Sequence, residues 1–171
     1  MLAKNLKIVP SKKSDIQNIC KITKTAFGSA QEAKLVESLL PSQEETISLI
    51  AKVGKEVAGH VLLTKVKAKN QNKLKAMALA PLSVLPKYRE MQIGSQLVRQ
   101  AIITASENKY DALFVLGDPL YYERFGFKQK AANGFKTPWP KTHFMALELK
   151  PNKLADKSDE LIYPQAFEKL N

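Results

Sequence analysis

Two almost wholly apolar segments stand on either side of an amphipathic one, and this arrangement constrains the fold more than any other feature. Residues 76–85 and 111–117 have the continuous apolar character of strands that are covered on both faces. Between them, residues 93–107 repeat apolar side chains at the spacing of a helix with one buried face. The chain is therefore predicted to build a central sheet with helices packed against it.

Shorter patterns predict the remaining elements. The other predicted strands are residues 6–9, 48–53, 56–67 and 144–149, with a further one starting at Phe127. The other predicted helices are residues 11–27, 30–40 and 119–124. This order is typical of a single-domain α/β fold with a mixed central sheet. We expect residues 1–150 to form the domain and residues 151–171 a tail that packs on it through Leu161, Tyr163 and Phe167.

The charge of the chain leaves two interpretations open. The formal net charge is +11, which suits nucleic acid or another polyanion. Among the 27 basic residues, however, only Arg89, Arg99 and Arg124 are arginine, the residue that best forks onto bases and phosphates. The lysines are scattered rather than grouped in one block. We expect no nucleic-acid partner, although the charge favours anionic ligands in general.

Several classes of protein are disfavoured by simple counts. The single cysteine, Cys20, cannot form an internal disulfide or a cysteine-rich metal site, so no metal is expected. No apolar run approaches the roughly 20 residues that span a bilayer. The first seven residues lack the apolar core of a signal peptide. These features predict a cytoplasmic protein with no membrane contact, and they leave its oligomeric state open.

The turn before the clearest helix is a candidate anion site. Residues 82–95 read as strand, turn and helix, and a helix N-terminus offers unpaired N–H groups and the positive end of a dipole. Arg89 adds a cation, and Gly94 lets a ligand approach the backbone. An ordinary surface turn is the alternative interpretation.

Two blocks of sequence resemble the GNAT superfamily of N-acetyltransferases. A strand that ends Val84-Leu85-Pro86 precedes residues 89–94, which resemble the family's pyrophosphate loop, Gln/Arg-x-x-Gly-x-Gly/Ala. Residues 122–127 resemble its Tyr-x-Lys/Arg-x-Gly-Phe ending. Residues 79–84 and 116–122 are similar to the YhbS-like branch, and the resemblance spans about residues 30–149.

The resemblance implies a fold whose two central parallel strands splay apart to admit acetyl-CoA as co-substrate. Backbone groups near Leu82 and Val84 would hold the pantetheine arm, and amides from Arg89 to Ser95, including Glu90, Gln92 and Gly94, would hold the pyrophosphate. A primary amine would attack the thioester directly. Tyr122 would be the general acid, because a phenol is protonated at neutral pH and can still protonate a thiolate. Tyr121 is interpreted as packing.

Two features leave the chemistry open. Gln92 stands where the family loop usually has glycine, and Glu90 adds negative charge. Gln92 can adopt ordinary helical dihedrals, however, and on that expectation the loop can still bind the pyrophosphate. The base is uncertain: His60 is a candidate that would act through water, or it is simply a structural strand residue. Phe135, Trp139 and the flanking prolines are a possible acceptor wall. The alternatives are a degenerate CoA-binding member and, less favoured, a basic nucleic-acid-binding protein.

Overall fold

An eight-stranded, mostly antiparallel sheet forms the centre of the chain, described over residues 3–170 by a computed structural model. The strands are β1 (Leu6–Pro10), β2 (Thr46–Val53), β3 (Glu56–Ala68), β4 (Ala76–Val84), β5 (Ala112–Leu116), β6 (Phe135–Lys136), β7 (Phe144–Glu148) and β8 (Asp159–Ile162). The main path runs β1-β2-β3-β4-β5-β7, and β8 pairs with β3 and β6. Within the main path only β4 and β5 run parallel.

Five α-helices accompany the sheet in residues 3–170, together with short 3-10 turns. They are α1 (Ile16–Phe27), α2 (Gln31–Leu39), α3 (Ile93–Glu107), α4 (Pro119–Tyr122) and α5 (Gln129–Ala132). The apolar face of α3 packs with β2, β3, β4 and β5 in one core cluster. Helices α1 and α2 pack with the C-terminal segment in another. The predicted α/β architecture, with helices covering the central strands, is confirmed.

The central parallel pair separates part of the way along its length. The β4–β5 ladder runs from the pair Ala76–Ala112 to the pair Leu79–Val115. Beyond Leu79, β4 continues to Val84 along β3, whereas β5 ends at Leu116. The β5-facing edge of β4 over residues 80–84 therefore has no strand beside it. This divergence is the splay that the resemblance implied, and it opens a gap in the middle of the sheet.

The sequence was less informative after residue 126. Phe127 does not begin a strand: residue 128 makes one isolated bridge to Ala146, and α5 follows at once. The predicted loop also contains β6, and the tail contains β8, which sits beside the end of β3. Phe167 is buried in the cluster with α1 and α2. No helix within residues 3–170 is long and apolar enough to cross a membrane.

Candidate active site

The loop that enters α3 contains two residues in left-handed conformation. A 3-10 turn (Pro86–Tyr88) follows β4, and then Glu90 and Gln92 have φ of 65° and 59°. The expectation that Gln92 takes ordinary helical dihedrals is wrong, because it is the N-cap of α3 with φ 59° and ψ 18°. Left-handed backbone is costly for a residue with a Cβ. That geometry explains why a glycine would suit this position.

A cavity of about 280 Å³ lies at the N-terminus of α3. Its walls are formed by Val84, Tyr88, Arg89, Glu90, Gln92, Ile93, Gly94, Ser95, Tyr121 and Arg124. The N-cap makes no side-chain hydrogen bond to the first turn. The first N–H groups of a helix have no partner within the helix, so they are free to bind an anion here.

All three arginines of the chain lie on α3 or beside its N-terminal loop. Arg89 donates from Nη2 to the carbonyl of Ala26 at 3.0 Å, which ties the loop to the C-terminal end of α1. Arg124 stacks on Tyr121, 4.5 Å from the ring centroid, and its Nη2 lies 3.4 Å from Ser95 Oγ. Arg99 and Arg124 both lie over the ring of Phe125. Arg89 and Arg124 thus line the cavity, and Arg99 lies close by.

Tyr121 packs against the core, as interpreted from the sequence, and it also lines this cavity. Its hydroxyl bonds the side chain of Ser95. A Cβ on Gly94 would stand only 2.7 Å from that hydroxyl oxygen. The Tyr121 phenol approaches the helix backbone so closely that a larger residue than glycine at position 94 would clash with it. Burial raises the pKa of Tyr121, so its hydroxyl stays protonated as a donor at neutral pH.

A second cavity, of about 490 Å³, occupies the splay between β4 and β5. It is lined by residues 78–82 of β4, residues 114–118 at the end of β5, and the side chains of Phe27, Glu32, Leu35, Tyr121, Tyr122, Trp139, Tyr163, Phe167 and Leu170. Tyr121 lines both cavities, so the two spaces adjoin at its ring. Together they form a path from the arginines at α3 into the centre of the sheet.

Tyr122 points into the splay cavity rather than to the cavity at α3. Asp118 begins α4 by accepting the backbone N–H of Leu120, at 3.0 Å, and this cap fixes the helix that carries the tyrosine. A Cβ on Gly117 would meet the Tyr122 ring at 2.5 Å. Burial raises the pKa of Tyr122, which keeps the phenol neutral. Within residues 3–170 its hydroxyl has no hydrogen-bond partner, so it is free for a ligand.

His60 lies away from both cavities. It is fully buried on β3, and its Nε2 is 2.8 Å from Ser48 Oγ, which is in turn bonded to Ser11. Its Nδ1 has no partner within residues 3–170. Burial lowers the pKa of His60 to about 3, so the ring is neutral. The geometry gives no support to His60 as the base.

The structure brings the other sequence-predicted site residues together. Arg89, Glu90, Gln92, Gly94 and Ser95 line the cavity at α3 with Val84, whereas Leu82 and Tyr122 line the splay cavity. Trp139 is part of the wall, as suggested, but Phe135 is not: it is buried against Phe114.

Sequence reasoning missed several contributors. The role of Arg124 could have been found, since it is the basic residue of the motif that ends in Gly-Phe. Glu32 and Tyr163 carried no local signal, because they reach the cavity only through tertiary packing.

Comparison with known proteins identifies the family. The model of the acetyltransferase (GNAT) domain matches residues 7–129. The chain is 37% identical over 132 residues to the uncharacterized N-acetyltransferase YjhQ of Escherichia coli K12, covering 75% of this chain and 73% of that one. It is 34% identical over 129 residues to the uncharacterized N-acetyltransferase YhbS of the same organism, covering 75% and 77%.

Solved structures agree with this assignment. The E. coli YhbS structure in complex with CoA superposes with a TM-score of 0.91 at 29% identity, covering 97% of this chain and 93% of that one. A GNAT acetyltransferase from Brucella melitensis in complex with acetyl-CoA gives a TM-score of 0.80 at 26% identity, covering 95% and 98%. With a family match over most of its length and two relatives above 30% identity, this chain belongs to the GNAT acetyltransferase family.

Proposed function

We propose that the protein is an acetyl-CoA-dependent N-acetyltransferase that transfers the acetyl group to a primary amine. The observation that carries the proposal is the pair of adjoining cavities, one cationic at the N-terminus of α3 and one apolar in the splay of β4 and β5. Acetyl-CoA would supply an activated acetyl thioester at the end of a long arm. The structural relatives crystallised with CoA and acetyl-CoA support this choice of co-substrate.

The cavity at α3 suits a pyrophosphate. The uncapped amides of residues 93–95, the helix dipole and the guanidinium groups of Arg89 and Arg124 all favour negative charge. Gly94 and the Tyr121 hydroxyl set how close a phosphate can come to the helix. We assign the binding role to the backbone amides from Arg89 to Ser95, including those of Glu90, Gln92 and Gly94.

The splay suits the pantetheine arm. Residues 80–84 of β4 have no β5 strand beside them, so backbone N–H and C=O groups near Leu82 and Val84 are available to an amide-rich ligand. The walls at Leu79, Leu82 and Val115 are apolar, and a bound arm would displace water from them. Electrostatic and hydrogen-bonding interactions are stronger in such surroundings than in water.

We assign Tyr122 as the general acid. Its phenol is held neutral by burial, lies in the splay cavity and has no competing partner within residues 3–170. It can give its proton to the departing thiolate. The amine must also lose a proton, and no histidine lines the described part of the cavity. The carboxylate residues that line it are Glu32 and Asp118.

A specific observation favours the degenerate alternative, in which CoA binds without turnover. Gln92 holds a left-handed conformation beside the cavity, and the Glu90 carboxylate adds negative charge where a phosphate would bind. A nucleic-acid role rests only on the net charge of +11. We retain the expectation of a cytoplasmic location as part of the proposal.

Acetyl transfer should be tested with purified protein, acetyl-CoA and a panel of primary amines that includes small amines, a lysine-containing peptide and a peptide with a free N-terminus. Release of the CoA thiol and acetylation of the amine, measured by mass spectrometry, should appear together. Arg124→Ala should reduce kcat/KM for acetyl-CoA. Tight CoA binding with no acetylated product across the panel would contradict the enzyme and favour the degenerate alternative.

A further inference from the structure

The splay cavity has a charge character opposite to that of the chain. The protein carries a net charge of +11, yet none of the described residues that line this cavity is Lys, Arg or His. Its two carboxylates are Glu32, half-buried near the start of α2, and Asp118, which caps α4. One oxygen of Glu32 accepts the hydroxyl of Ser29 at 2.9 Å, which leaves the other oxygen for a ligand. A positively charged ligand that enters this cavity therefore meets a carboxylate, although the protein as a whole is cationic.

Aromatic side chains form one wall of the same cavity. Trp139 and Tyr163 pack edge to face with ring centroids 4.6 Å apart, and Phe167 lies 5.3 Å from Tyr163. Burial raises the pKa of Tyr163 to about 12, in keeping with an apolar environment. These residues lie beyond residue 129, where the family match ends. A wall of this kind can set the choice of acceptor.

The volume fits a small molecule rather than a macromolecular surface. The cavity measures about 490 Å³, within the roughly 300–1,000 Å³ of small-ligand sites. Part of that space, beside Leu82 and Tyr122, is needed by the reacting end of the co-substrate under the proposed function. Glu32 and the aromatic side chains line the same cavity and are not among the residues assigned to that end.

We infer that the acceptor is a primary amine carried on an aromatic or aliphatic apolar body that bears no carboxylate of its own. The ammonium pairs with Glu32, and the body lies against Trp139 and Tyr163. An acceptor with a carboxylate beside its amine is rejected, because that carboxylate faces Glu32 with no cation in the described wall to offset it. That this ligand is the acetyl acceptor rests on the proposed function. That the cavity binds such an amine does not depend on it.

Trp139 provides a direct readout of binding. It is the only tryptophan of the chain and lines the cavity, so its fluorescence reports occupancy without any turnover. The protein, with and without saturating CoA, should be titrated with 2-phenylethylamine, with phenylalanine and with ethanolamine. The half-maximal fluorescence change should occur with 2-phenylethylamine at a concentration at least about tenfold lower than with phenylalanine or ethanolamine.

Variants of α2 test the role of the carboxylate. Glu32→Gln should weaken 2-phenylethylamine binding about three- to tenfold, as expected for a half-buried charged partner. Glu37→Gln, on the exposed face of the same helix, should leave it unchanged. Equal affinity for phenylalanine or ethanolamine, no saturable change with 2-phenylethylamine, or an unaltered affinity in Glu32→Gln would overturn the inference. Selective binding without acetylation would instead count against the proposed function alone.

Discussion

Replacing Gln92 with glycine tests the geometry of the loop that enters α3. Gln92 has φ 59° and ψ 18°, a conformation that costs a residue with a Cβ about 1–2 kcal/mol. Glycine avoids that cost but loses about 0.5–1 kcal/mol through the greater freedom of the unfolded chain. The difference predicts that Gln92→Gly raises the free energy of unfolding by about 0.5–1 kcal/mol.

Thermal and urea unfolding both measure this effect. For a chain of this size the predicted gain corresponds to a rise in Tm of about 1–4 °C. The urea midpoint should rise with an unchanged m value. Gln96→Gly is the matched control, because Gln96 lies within α3, where glycine costs about 1 kcal/mol. The two glycine variants should therefore move stability in opposite directions.

A loss of stability in Gln92→Gly equal to that in Gln96→Gly would refute the left-handed geometry. The same variant addresses the degenerate alternative, because it removes a side chain from the wall of the cavity at α3. Acetyl-CoA should then bind more tightly. Unchanged or weaker affinity would mean that the glutamine is accommodated, and the degenerate alternative would lose much of its support.

Three further predictions follow from the two cavities and the buried histidine. Tyr122→Phe should lower turnover about 10²- to 10⁴-fold with little change in acetyl-CoA affinity. Tyr121→Phe removes a hydroxyl from the α3 cavity and should mainly weaken acetyl-CoA binding. If kinetics and calorimetry show the reverse pattern, the roles assigned to the two tyrosines are exchanged. Gly94→Ala places a Cβ 2.7 Å from the Tyr121 hydroxyl and should lower the free energy of unfolding by about 1–3 kcal/mol. Much of that loss should be recovered in the double variant with Tyr121→Phe. If the effects of the two substitutions on urea unfolding are strictly additive, the contact does not exist. Because burial lowers the pKa of His60 to about 3 from 6.5, unfolding takes up a proton between these values, and the free energy of unfolding falls by up to about 1.4 kcal/mol per unit as pH drops below 6.5. His60→Gln should flatten that slope between pH 6.5 and 5 and the exposed His143→Gln should not, so an equal slope in wild type and His60→Gln would contradict the assignment.

Regular elements with a strong local pattern were predictable. Helix α3 has the bounds expected of residues 93–107, because its apolar spacing is unbroken and β4 ends just before the turn that precedes it. The C-terminal cap of α1 at Gly28 and the N-cap of α4 at Asp118 also follow from short-range chemistry. The two apolar strands at the centre were evident because Ser83 is the only polar residue within them.

The details of the site were not predictable, because they depend on tertiary contacts. Tyr121 and Tyr122 are neighbours in the chain, but their rings stand at 82° to one another, and only Tyr121 reaches the cavity at α3. The left-handed turn at Gln92 is imposed by the path from β4 into α3. Glu32 and Trp139 are more than one hundred residues apart in the sequence, and only the folded chain places them on the same cavity.

Calorimetric titration of the purified protein with acetyl-CoA tests the central claim most directly. One saturable site per chain is expected, with affinity reduced in Arg89→Ala because that residue lines the cavity at α3. Lys55→Ala, in the exposed turn between β2 and β3, should bind as the wild type does. No heat of binding even at millimolar acetyl-CoA would contradict the acetyltransferase and its degenerate alternative together, and salt-dependent binding of DNA or RNA would then favour a nucleic-acid role.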